Sequence, residues 1–151
     1  MYGLKEWAAK QENISQWTIL SAGEQHDDID LGNGAVLRSV GKLSLQDYAK
    51  MMLDTYAGVS LMVSPHPSYP PLEMATFGAK TITNCYESKD LTSFSDNMIC
   101  LKSCAPRDIA NKLLEICSRY NGQGTIHTKE DYLKETGIFG DIPEQLCAEL
   151  S

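Results

Sequence analysis

Apolar residues recur along this chain with two spacings, and each switch between them marks an element. Leu45, Tyr48, Ala49, Met52, Leu53 and Tyr56 fall at intervals of three and four, which predicts an amphipathic helix packed on a sheet. Ser44 is a good N-cap for it, and Asp47 three residues on completes a capping-box-like pair. A second helical period, Ile109, Leu113, Ile116, Cys117 and Tyr120, opens at Pro106, where a missing N–H is not needed. Leu4, Trp7 and Ala8 share one face of a short opening helix.

Between these lie short strand-like runs at residues 17–21, 35–40, 59–63, 80–83 and 98–101. The run 59–63, bounded by Gly58 and Ser64, suits a strand buried on both faces of an open sheet. Residues 25–34 are polar and glycine-punctuated, which predicts a surface loop. The resulting order of strands and helices predicts an α/β fold, a Rossmann-like, mainly parallel sheet flanked by helices. Residues 1–121 are expected to form this domain and residues 122–151 a helical extension, with helices near 128–135 and 142–150.

The stretch 60–78, SLMVSPHPSYPPLEMATFG, has the most concentrated chemistry. Four of the six prolines lie between Pro65 and Pro71, so this loop is stiff. With Pro70 and Pro71 opening a helix, Glu73 is expected in its first turn, where the helix dipole favours a carboxylate. There it either complements that dipole or accepts two hydrogen bonds from vicinal hydroxyls such as those of a ribose. In open α/β sheets ligands lie beyond the carboxyl ends of the strands, and the loops 41–44, 64–71 and 84–90 all fall there.

Composition narrows the partners. A net charge of −7 over 151 residues argues against nucleic acid, and 42% hydrophobic with 22% charged residues is ordinary for a folded domain. The first fifteen residues lack the apolar core and cleavage site of a signal peptide, and no window suits a membrane span, so a cytoplasmic location is expected. Five cysteines without a C-x-x-C pair read as reduced core thiols, and Asp27, Asp28, Asp30 and Asn33 lack EF-hand spacing. Neither a metal nor a cofactor is expected.

PSYPPLEMATFG followed by AKTITN resembles the donor-binding signature of GT-B glycosyltransferases of the family 4 type. SPHPSYPPLEMA is closer still to the WsaF-like rhamnosyltransferases, and the resemblance spans about residues 3–120. It implies the nucleotide-sugar-binding half of a glycosyltransferase, with dTDP-rhamnose or a similar donor and metal-independent transfer in surface polysaccharide or glycan synthesis. Gly41, Lys42 and Leu43 would meet the base, Glu73 the ribose, and Ser68, Tyr69 and Leu72 the diphosphate, with Lys89 adding charge. Pro65 stands where many family 4 enzymes carry a second glutamate, so His66 becomes the sugar-side residue and, with Glu73, the catalytic candidate.

The family's basic first strand and its acceptor-binding N-terminal domain have no counterpart in these 151 residues. The expectation is therefore that the chain alone is inactive, that the glycan acceptor binds through the missing domain, and that the exposed sheet edge promotes a homo-oligomer. The alternative is a non-catalytic Rossmann-like interaction module of a polysaccharide-synthesis complex. A flavodoxin-like or hydrolase enzyme is disfavoured by the lack of G-x-S-x-G and of G-x-G-x-x-G after a strand.

Overall fold

The computed structural model describes residues 1–63, 69–85 and 90–122. Its elements in chain order are α1 (Tyr2–Lys10), β1 (Ile19–Ala22), β2 (Ile29–Gly32), β3 (Ala35–Gly41), α2 (Leu45–Leu53), β4 (Ala57–Val59), α3 (Tyr69–Thr76), β5 (Lys80–Asn84), β6 (Met98–Leu101) and α4 (Pro106–Cys117). The strands form two three-stranded sheets. In the first, β3 lies between β1, to which it is parallel, and β2, to which it is antiparallel. In the second, β5 lies between β4 and β6 and all strands are parallel. Parallel neighbours need a crossover, and α3 provides it from β4 to β5. The result is the mixed α/β, Rossmann-like arrangement expected.

One apolar cluster serves both sheets. Leu31, Ala35 and Leu37 of the first and Ile82 of the second pack with Trp7 and Ala8 of α1 and with Ile109, Leu113 and Ile116 of α4. α1 lies close on α4 because Gly3 faces Ile109 where no side chain would fit. Trp7, Trp17, Tyr56 and Tyr120 form a linked aromatic group with neighbouring ring centroids 4.7 to 6.3 Å apart. Trp17 precedes β1 and Tyr56 precedes β4, so the rings bind the amino ends of the two sheets together. The opposite, carboxyl ends are left for loops.

Several expectations need correction. Residues 29–32 are a strand, not loop: Asn33 and Gly34, with φ of 55° and 77°, make the two-residue turn of a hairpin with β3. The single sheet is divided, since among the described residues β1 and β4 each pair on one side only. β4 ends at Val59, and Leu61 and Val63 are exposed, so the run 59–63 is not a doubly buried strand. α2 keeps its predicted start, with the Ser44 hydroxyl oxygen accepting from the Asp47 N–H at 3.1 Å. It packs on α3 rather than on a sheet: Met52 meets Met74 and Ala79, while Leu45 and Leu53 stay exposed. Among the four described cysteines only Cys117 is a core thiol, pushed up to about 11 by burial; Cys85 and Cys100 are half-buried and Cys104 is exposed. The helices expected near 128–135 and 142–150 lie outside the described residues.

Candidate functional site

The carboxyl end of the second sheet is shaped by a residue that sequence reasoning assigned to a loop. Asn84 ends β5, nearly buried, and its carboxamide clasps the backbone of Met62: Nδ2 donates to the Met62 carbonyl and Oδ1 accepts from the Met62 N–H, each at 2.7 Å. The side chain replaces strand pairing where pairing has stopped, just beyond the Ser60 N–H bond to the Ile82 carbonyl. It thereby sets the direction of the chain as it leaves the sheet. A signal was available, because a β-branched run closing on Asn puts a backbone-like amide at the strand end.

α3 begins at Tyr69, so its first turn holds Tyr69, Pro70, Pro71 and Leu72 and contains no acidic residue. Glu73 is the fifth residue, which corrects the expected first-turn placement and removes it from the reach of the dipole. Its exposed carboxylate instead lies beside the Tyr48 hydroxyl of α2. The Tyr48 phenol is pushed up to about 12, mainly by burial and then by the charge and hydrogen bond of Glu73. A carboxylate has about four lone-pair sites, so one phenol donor leaves others for hydroxyls of a ligand.

Tyr48 stands four residues beyond Ser44, directly after the turn Gly41-Lys42-Leu43. Gly41 has φ of 63°, the left-handed region that favours glycine, and a β-carbon there would displace the end of the Gln25 side chain. The Gly41 carbonyl accepts from the Gly23 N–H at 2.9 Å, which fixes the mouth of the turn against β1. Lys42 is exposed and Leu43 half-buried at this rim. On α3, Tyr69 is exposed and Leu72 half-buried. Tyr48, on the helix that follows Gly41, Lys42 and Leu43, is the described neighbour of Glu73 on this side. His66, Ser68 and Lys89 lie outside the described residues. A shallow depression lined by Lys102, Asp108, Lys112 and Glu115 shares no residue with this group.

Comparison with known proteins adds an independent finding. A protein-family model described as the WsaF C-terminal domain matches residues 1–114, which takes in both sheets and most of α4. A search of curated proteins found no match. Among the described residues no helix is long and apolar enough to cross a membrane.

Proposed function

The chain belongs to the WsaF C-terminal domain family, which makes it a glycosyltransferase-related domain, and on that premise we propose that it binds the nucleotide-sugar donor. The observation that carries this reading is Glu73: outside the first helical turn, exposed, and beside Tyr48 on the helix that follows the turn 41–43. A carboxylate kept away from its own helix terminus is free to accept hydrogen bonds from two sugar hydroxyls. In this reading Gly41, Lys42 and Leu43 receive the base and Glu73 the ribose. Ser68, Tyr69 and Leu72 receive the diphosphate with help from Lys89, and His66 faces the sugar. The donor is dTDP-rhamnose or a similar deoxyhexose nucleotide, and the acceptor glycan binds on another domain. Transfer would draw on electrostatic stabilisation of the departing diphosphate by backbone amides.

The one-sided pairing of β1 and β4 among the described residues, together with exposed Leu20 and Val36, favours a second reading. In it the domain is an assembly module whose edges are covered by a partner or a second copy.

Calorimetric titration of dTDP, UDP and GDP into the protein separates the two. Saturable binding of one nucleotide supports the donor site, and absence of binding by all three supports the module. Glu73→Ala should then weaken nucleotide binding by roughly 1.5–3 kcal/mol, the scale of hydrogen bonds to a charged group. His66→Ala should weaken the nucleotide sugar but not the bare nucleoside diphosphate. Unchanged nucleotide affinity in a folded Glu73→Ala protein would sink the ribose assignment.

A further inference from the structure

We propose that Cys85, Asp90 and Cys100, at the carboxyl ends of β5 and β6, form a binding site for a zinc-class divalent cation. The two sulfurs and a carboxylate oxygen all lie within 4.8 Å of one another. Nothing in the donor reading requires this cluster, and the proposal stands or falls separately from it.

Strand register explains why the thiols meet without being positioned for a disulfide. Thr83 is the direct partner of Cys100, and the ladder continues as the Cys85 N–H bonds the Leu101 carbonyl at 2.8 Å. Cys85 therefore lies two residues beyond the residue opposite Cys100, on the same face of the sheet. Two strand rises combined with the spacing between strands separate the Cα atoms by about 8 Å. That exceeds the reach of a disulfide. A tetrahedral ion bridges such a gap, because two thiolates each at about 2.3 Å from zinc stand about 3.8 Å apart.

The surroundings are those of a prepared donor set. The Asp90 Oδ1 atom accepts from both the Thr92 N–H at 2.9 Å and the Thr92 hydroxyl at 2.7 Å, which holds the carboxylate in place. Leu91, Cys85 and Asp90 all lie against Cys100. Such outer hydrogen bonds orient metal ligands. Thr83, fully buried on the same face, has a hydroxyl without a hydrogen-bond partner, a polar group beside the thiols for which the packing gives no other use.

Two sulfurs and one carboxylate select zinc over magnesium or calcium, and three protein donors leave the fourth position open. Binding releases the two thiol protons to solvent. The three anionic donors exceed the ion by one charge, which Lys102, close to Asp90, offsets.

The test is a titration of the reduced, metal-free full chain with Co2+, read by sulfur-to-cobalt charge-transfer absorption, followed by Zn2+. One saturating Co2+ per chain, displaced by Zn2+, is expected. Cys85→Ser or Cys100→Ser should abolish the band, and Thr92→Val should weaken binding about tenfold. Cys104→Ser should leave both unchanged, with circular dichroism verifying that each variant is folded. Absence of a saturable band in the parent chain, or its persistence in the Cys85→Ser/Cys100→Ser double variant, would overturn the proposal.

Discussion

The two sheets bury their strands in different ways. In β5 every residue from position 81 to 84 is buried, because α3 covers one face and α4 the other. In the first sheet Ile19, Leu31, Ala35 and Leu37 face the core while Leu20, Asp30, Val36 and Arg38 face outward, strand after strand. A parallel sheet with crossover helices is enclosed on both sides, whereas a sheet built partly from a hairpin has one open face. The enclosed sheet carries Asn84 and the loops on either side of α3. The open sheet contributes a single turn, Gly41-Lys42-Leu43, delivered through α2.

Mutation should expose the same contrast. Ile82 is fully buried at the centre of the second sheet, so Ile82→Ala should cost about 2–5 kcal/mol in urea denaturation. Val36→Ala, on the open face of the first, should cost under about 0.5 kcal/mol. Equal losses would show that the open face is covered in solution, and light scattering would then identify a self-associated form.

Asn84→Ala tests whether the enclosed sheet also directs its loop. Loss of both clasps on Met62 should destabilise the protein by about 1–3 kcal/mol and speed hydrogen exchange at the Met62 amide. Unaltered exchange would mean that the chain beyond β4 is held by something else.

The link between the sheets is the next target. Ser44 caps α2, which runs from β3 to β4, and Ser44→Ala should cost about 1 kcal/mol. A larger loss would indicate that the cap also braces the turn at Gly41.

The smallest expected effect is a pH dependence from Tyr48. Its folded pKa of about 12 lies above the ordinary 10.0, so its contribution is complete below pH 10 and fades as the pH rises through 12. Tyr48→Phe should remove that part of the alkaline fall in stability, and Glu73→Gln should shrink it. An identical alkaline profile in Tyr48→Phe would place the phenol in water, away from Glu73.

Elements with local punctuation were legible in the chain. Ser44 and Asp47 mark the start of α2, Pro106 the start of α4, and the β-branched run before Asn84 the strand β5, and each forms where it was expected. The hairpin β2–β3 had a local signal too, Asn33-Gly34, but the acidic residues before it hid the strand. The run 59–63 misled for another reason: continuous apolar character states that a strand is buried without stating which neighbours bury it. Among the described residues β4 has one neighbour, and Leu61 and Val63 just beyond it are exposed.

By itself the sequence determined the α/β class, the helix starts and the family signature around Glu73, because caps, prolines and periodicity act over a few residues. Only the tertiary structure decided that Tyr48 stands beside Glu73, that Asn84 clasps Met62 from 22 residues away, and that Cys85, Asp90 and Cys100 converge. Those contacts depend on strand register and on how α2 docks against α3. A shift of one residue in register turns a side chain to the opposite face of its sheet, and no local pattern specifies that choice.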